Sequence, residues 1–301
     1  MAAVKHWVGA ARLRTLPLAI AGLVLGNCIA SYQNSFSWSV CILSILTAFF
    51  LQVLSNYAND YGDYAHGVDN DKRIGPTRAV QSGEISQEAM KKAIVFVALL
   101  ALLSGLALLW FSREQVNLIK LGIMLTLGLL SIWAAIKYTA SKNPYGYKGY
   151  GDIAVLIFFG LIAVLGVLYL QTGGIELSWF APAIAFGLLS VGVLNLNNMR
   201  DIENDFISGK ITIAVRLGLK NARFYHYGLI VTAILLFVFF ANSIYQAWWQ
   251  YLFLTPLALL IIHLHKVSNR TNYKEFNPLL KELALSSAFI AISVGLSLNI
   301  G

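Results

Sequence analysis

Asn56 to Gly83 reads NYANDYGDYAHGVDNDKRIGPTRAVQSG. The stretch follows an apolar run long enough to cross a bilayer. Within it Asn56, Asn59, Asp60 and Asp63 fall at i, i+3, i+4 and i+7, so a continuing helix carries all four on one face. Asp69 and Asp71 come next, then Lys72, Arg73 and Arg78 around a Gly75-Pro76 turn. Carboxylates on a helix face, followed at once by cations on a Gly/Pro loop, suit a magnesium-bridged phosphate ligand. Mg2+ takes a few carboxylate oxygens together with substrate phosphate oxygens. Arg and Lys side chains neutralise the remaining phosphate charge.

Outward from this stretch the chain is apolar. Of its 301 residues 58% are hydrophobic and only 12% charged, about half the roughly 25% charged residues of a soluble domain. This is the composition of an integral membrane protein. Nine spans are legible, at about 16–33, 38–58, 88–111, 116–137, 153–171, 179–199, 225–244, 247–265 and 279–299. Each is near the roughly 20 residues that cross the hydrocarbon. Backbone groups in lipid must be satisfied within the segment, so the spans are helices and the fold is all-α.

The loops alternate in charge. With the N-terminus inside, all of the 22 Lys and Arg residues except Arg113 and Lys120 fall in inner segments. That asymmetry predicts a cytoplasmic N-terminus and a C-terminus on the far side. The excess of cations therefore has a topological origin, and nucleic-acid binding is not expected. The 14 acidic residues follow the same pattern, with only Glu114 and Glu176 outside. The positive-inside rule does not ask for this. The inner face carries polar chemistry of both signs. Cys28 and Cys41 lie in or beside apolar segments and read as small buried hydrophobes.

A second cluster closes the sixth span. Asn197, Asp201 and Asp205 stand at i, i+4 and i+8, again one face of a continuing helix, followed by Gly209-Lys210, Thr212 and Arg216. The order Asn, Asp, Gly, cation, Arg matches the first cluster. The two motifs, near 56–83 and 197–218, suggest a weak internal repeat of about four helices within one transmembrane domain, 1–301, and two half-sites facing each other at the inner end. Asn and Asp also serve as ordinary helix caps. Like charges on one face repel, however, and a bound cation relieves that cost.

A third inner segment runs from Tyr138 to Asp152 and holds Lys142 and Lys148; Tyr138 and Lys142 are four apart and share a face if the helix continues. It reads either as a phosphate-binding lysine with an aromatic wall or as an interfacial tyrosine belt on a Gly/Pro loop. Trp7 to Pro17, with Arg12 and Arg14, reads as an amphipathic lead-in to the first span. His263 and His265 near a helix end receive no role.

Together these residues resemble the UbiA superfamily of intramembrane aromatic prenyltransferases. The resemblance runs through Arg12 to Pro17, the first Asp-rich stretch with Arg73-Ile74-Gly75-Pro76, Tyr147 to Asp152, and Asn197-Asn198-Met199-Arg200-Asp201 through Gly209-Lys210 to Arg216-Leu217-Gly218. It implies a nine-helix bundle with a central cavity open sideways to lipid. It also implies two Asp-rich motifs that hold Mg2+ and a prenyl diphosphate. Asp60 and Asp63 match the first motif, Asp201 and Asp205 the second, and Tyr138 and Lys142 the family's YxxxK pattern. Many relatives carry a further Asp where this chain has Gly67, with Asp69 two residues later. This departure resembles the branch that prenylates 1,4-dihydroxy-2-naphthoate and not the 4-hydroxybenzoate branch.

The implied activity is transfer of a polyprenyl group from polyprenyl diphosphate to that acceptor, with loss of diphosphate and carbon dioxide, at the plasma (bacterial inner) membrane. Asn56, Asn59 and Asn197 join the four carboxylates as candidate metal ligands. Lys142, Arg73, Arg78, Lys210, Lys148 and Arg216 are the candidates for binding diphosphate. The rival readings are a prenyltransferase of the same superfamily with another aromatic acceptor and a secondary transporter, which would hold its charges near the bilayer midplane.

Overall fold

The computed structural model describes residues 3–70, 74–270 and 272–300, which are helical with no strand. A short helix α1 (Val4–Ala11) lies ahead of the first span. Arg12 then turns the chain with φ 49° and ψ 54°, and α2 (Leu16–Tyr32) follows. Next come α3 (Trp38–Ala65), α4 (Gln87–Phe111) and α5 (Leu118–Lys137). The fifth span is composite: α6 (Gly151–Val155), a π-helical stretch Leu156–Gly166, and α7 (Val167–Thr172). The rest is α8 (Phe180–Arg200), the short α9 (Ile202–Ile207), α10 (Ile213–Ile244), α11 (Ala258–Ser268) preceded by the turns of Trp248–Leu257, and α12 (Phe276–Ser297). Among the described residues nine helical segments are long and apolar enough to span a membrane. They coincide with the nine expected from hydropathy, and the chain is an integral membrane protein.

Two apolar cores hold the bundle. The larger unites α2, the fifth span, α8, α10 and α12 around Phe186, Phe237, Phe240 and Phe276. The smaller unites α1, α3, α4 and residues 79–85 around Leu54, Ile85 and Met90. Local chemistry sets the helix starts. Ser86, Asn117 and Thr212 each accept a backbone N–H of the first turn of α4, α5 and α10.

The length of α3 positions the first motif. Its 28 residues reach about 42 Å at 1.5 Å per residue, more than the ~30 Å hydrocarbon. The last turns, with Asp60 and Asp63, therefore project to the polar end.

Three expectations are corrected. Asn197, Asp201 and Asp205 do not share one unbroken helix: α8 ends at Arg200, Asp201 (φ −101°, ψ 9°) bends the chain, and α9 follows. Tyr138 and Lys142 do not share a helix face, because α5 stops at Lys137. The seventh span begins earlier than hydropathy suggests, at Ile213, and is interrupted by Gly218 (φ 70°, ψ 163°), a backbone conformation open to glycine.

Candidate active site

The site begins on the last three turns of α3. Asp60 is 1% exposed and accepts the backbone N–H groups of Ala79 and Val80, both at 3.3 Å. Asp63, one turn on, accepts the Tyr147 hydroxyl at 2.7 Å on one oxygen and meets Arg78 at 2.8 Å on the other. Arg78 also pairs with Asp69 at 3.1 Å and donates to the Asn59 carbonyl at 2.7 Å. One guanidinium thus gathers the end of α3 and the loop after it. Burial works against its charge, but Asp63, Asp69, Asp60 and Asp201 hold it protonated, with its pKa above the ordinary value.

Close approach fixes the third inner segment against this helix. A Cβ on Gly62 would stand 2.4 Å from the Thr139 carbonyl carbon and 2.5 Å from its oxygen. Only glycine lets the chain pass there. Thr139 Oγ1 then bonds the Ala58 carbonyl at 3.0 Å and Asn59 Oδ1 at 2.9 Å. Asn56 faces the N-terminal segment. Its amide nitrogen donates to the Ala11 carbonyl at 2.8 Å and to Thr15 Oγ1 at 3.3 Å.

The second half-site is built at the bend between α8 and α9. Arg200 grips Asp201 with two bonds, 2.8 and 2.6 Å, and also donates to Asn197 at 2.8 Å and Asn277 at 3.0 Å. Lys210, 8% exposed, lies 3.6 Å from Asp205. Burial pushes the Asp205 carboxyl up to about 6, against the pull of Lys210. Burial alone would lower the Lys210 pKa, but Asp205 and Asp63 hold its ammonium charged, above the usual lysine range.

The two halves meet. Asn204 donates to the Val68 carbonyl at 2.9 Å, the Ile211 N–H bonds the Tyr147 carbonyl at 2.9 Å, and Lys210 lies 5.6 Å from the centre of the Tyr147 ring. Asp60, Asp63, Asp201, Asp205, Arg78 and Lys210 are therefore one buried polyelectrolyte cluster.

No three His, Cys, Asp or Glu side chains among the described residues surround a point that could hold an ion. The carboxylates are instead neutralised by Arg78, Arg200 and Lys210. One oxygen differs: Asp205 Oδ2 is buried and has no hydrogen-bond partner. An acceptor-only carboxylate oxygen left so among other carboxylates suits a hard divalent cation.

The other nominated cations lie elsewhere. Lys142 and Lys148 are exposed on the loop after α5, and Arg216, also exposed, donates to the Lys148 carbonyl at 2.6 Å. Arg73, with Asp71 and Lys72, lies outside the described residues. Arg200, Asn204, Tyr147 and Thr139 take places in the cluster for which spacing gave no signal. Arg200 is adjacent to Asp201, and only the bend reveals that it faces the acid.

Beside the cluster opens a cavity of about 550 Å³. Asn56, Asn59, Tyr138 and Tyr145 line its polar end, and mostly apolar side chains, with Ser44, Thr47 and Ser131 among them, line the remainder as far as Leu170 and Ile175. Burial raises the Tyr138 hydroxyl pKa and takes that of Tyr145 to about 12. Both remain protonated at neutral pH.

A family model described as the UbiA prenyltransferase family matches residues 16–290. A Haemophilus influenzae protein named 1,4-dihydroxy-2-naphthoate octaprenyltransferase is 43% identical over 300 residues, which cover 99% of this chain and 97% of that protein. An Escherichia coli protein of the same name is 42% identical over 277 residues, covering 92% of this chain and 89% of that one. The structure of a UbiA homolog from Archaeoglobus fulgidus bound to GPP and Mg2+ shares the fold, with TM-score 0.61 at 18% identity, over 94% of this chain and all of that chain.

Proposed function

Because the chain belongs to the UbiA prenyltransferase family, we propose that it transfers a polyprenyl group from polyprenyl diphosphate to 1,4-dihydroxy-2-naphthoate. The products are demethylmenaquinol, diphosphate and carbon dioxide, and the pathway is menaquinone biosynthesis. One observation carries the reading: relatives above 40% identity over nearly the full chain bear the name of that activity. The juxtaposition of an apolar cavity with a buried acid and cation cluster supports it. The isoprenyl tail needs the first and the diphosphate the second. The clusters lie at helix ends and not at the helix midpoints where a transporter would place them.

Asp60, Asp63, Asp201 and Asp205 are the residues that would hold Mg2+, which would supply Lewis-acid stabilisation of the leaving diphosphate. Asn56, Asn59 and Asn197, nominated with them, are engaged instead with Ala11 and Thr15, with Thr139, and with Arg200. Arg78 and Lys210 bind diphosphate oxygens with charge-assisted hydrogen bonds and stabilise the charge that grows as the allylic C–O bond breaks. The bonding pair leaves with the diphosphate. The electron-rich naphthoate ring forms the new C–C bond to the allylic carbon, and the carboxylate on the attacked ring carbon departs as carbon dioxide, returning its pair to the ring. Tyr138 and Tyr145 present aromatic faces at the polar end of the cavity, where they shield the allylic cation.

The test uses membranes carrying the protein, Mg2+, octaprenyl diphosphate and the naphthoate. Mass spectrometry should find the prenylated, decarboxylated quinol, and EDTA should remove it. Product with 4-hydroxybenzoate alone overturns the acceptor. Absence of diphosphate release with every acceptor overturns the enzyme reading.

A further inference from the structure

The wall of the cavity nearest the acids carries hydrogen-bonding atoms that the protein itself does not use. Gln52, Ser55, Asn56 and Asn59 stand at i, i+3, i+4 and i+7 on α3, so one helix face carries them, and all four line the cavity. Farther along the cavity the hydroxyls are closed off. Ser44, Thr47 and Ser131 donate to the carbonyls of Cys41, Leu43 and Leu127 on their own helices. Ser55 differs: its hydroxyl has no hydrogen-bond partner among the described residues.

The N-terminal segment aims the neighbouring amides. Thr15 Oγ1 gives its proton to the Arg12 carbonyl at 2.9 Å, so its lone pairs take amide N–H groups, from Gln52 at 3.1 Å and from Asn56 at 3.3 Å. Asn56 also donates to the Ala11 carbonyl at 2.8 Å. With both nitrogens turned toward residues 11–15, Gln52 Oε1 and Asn56 Oδ1 are left as acceptors with no donor among the described residues.

Resting on the prenyl-transfer reading, we propose that Gln52 Oε1 and Ser55 Oγ form the subsite that reads the C4 hydroxyl of the aromatic acceptor and so select a 1,4-dihydroxy ring. The prenyl donor cannot serve these atoms. Its hydrocarbon tail has no hydrogen bond to give and would strand them unpaired, at a cost. The naphthoate can serve them. Its C1 hydroxyl lies beside the C2 carboxylate and gives its proton to it, so the C4 hydroxyl is the one left for the protein. Gln52 stands eight residues before Asp60, about 12 Å along the helix axis. That interval lets the C4 side of the ring rest at Gln52 while C2 faces the allylic carbon beside the acids. C4 is meta to C2, so the subsite holds and selects the ring without activating it.

The test compares 1,4-dihydroxy-2-naphthoate with 1-hydroxy-2-naphthoate, which lacks only the C4 hydroxyl, at saturating octaprenyl diphosphate and Mg2+. In the wild type kcat/KM should favour the dihydroxy compound by about tenfold or more. That ratio should fall severalfold in Ser55→Ala and in Gln52→Leu and approach unity in the double variant, with KM for the donor unchanged. A lesion that only loosens the fold lowers both acceptors together and keeps the ratio, and Ser55→Ala breaks no hydrogen bond within the described residues. Thr47→Val is the control. It removes a hydroxyl of the same wall that Leu43 already satisfies, and should keep the wild-type ratio. An unchanged ratio in the Ser55 and Gln52 variants overturns the subsite while leaving prenyl transfer standing. A second readout needs no turnover: anaerobic equilibrium dialysis of the two naphthoates with Mg2+ and a thiolo analogue of the donor that cannot react. A preference for the dihydroxy compound that Gln52→Leu abolishes supports the subsite even if no prenylated product forms. Equal binding of the two compounds to the wild type overturns it.

Discussion

At the scale of single residues, the cluster is a set of charges held in readiness by one another. Asp60 and Asp201 illustrate what can be tested. Asp60→Asn and Asp201→Asn keep volume and some hydrogen bonding but remove the charge that a cation needs. Each should lower kcat by about 10²–10³-fold with the protein still folded, read from product formation at saturating Mg2+. Near-wild-type turnover of either variant at limiting Mg2+ would refute the metal assignment. Asp205 makes a second prediction. Its carboxyl titrates at about 6 in the metal-free protein, so above that pH a cation meets a carboxylate and below it must displace a proton. The midpoint for Mg2+ should rise toward about tenfold per pH unit as pH falls below 6. A midpoint that is flat between pH 5 and 7 would show that Asp205 is not a ligand. Lys210 was legible as one cation among six. Its burial against Asp205, which sets it apart from exposed Lys142, depends on the turn at Gly209 and was not.

At the scale of elements, spacing reads well only while a helix continues. The i, i+3, i+4, i+7 pattern of Asn56 to Asp63 holds because α3 runs unbroken to Ala65. The same argument fails for Asn197 to Asp205, where Asp201 bends the chain. It fails again for Tyr138 and Lys142, where α5 has already ended. Helix ends are decided by tertiary contacts that periodicity does not carry. The Gly62–Thr139 contact is such a case, since nothing in the sequence marks which glycine lets two segments touch. It also supplies a prediction. Gly62→Val drives a branched side chain into backbone 2.4 Å away and should destabilise the protein by about 1–3 kcal/mol. In detergent this reads as a lowered Tm, with activity falling alongside it. Gly122→Val, in open space, should leave Tm near the wild-type value. Equal Tm values for the two variants would mean that the close approach does not constrain the fold.

At the scale of the whole molecule, hydropathy found nine spans because lipid forces every backbone group into helical bonds. It could not find the cavity, which is lined by residues from α2, α3, α4, α5 and the fifth span together. Orientation is the remaining global property that the sequence addresses directly. The lopsided distribution of Lys and Arg predicts that the acid clusters lie on the cytoplasmic side, where a diphosphate could enter from water while its tail stays in lipid. Single cysteines introduced into a background lacking Cys28 and Cys41 test this. Ser82→Cys lies in the loop after the first motif, and Ser35→Cys in the short loop before α3. In intact cells a membrane-impermeant maleimide should label Ser35→Cys and spare Ser82→Cys, and opening the inner membrane should expose the second. The reverse pattern would put the acids on the far side. The donor would then have to cross the membrane before reacting.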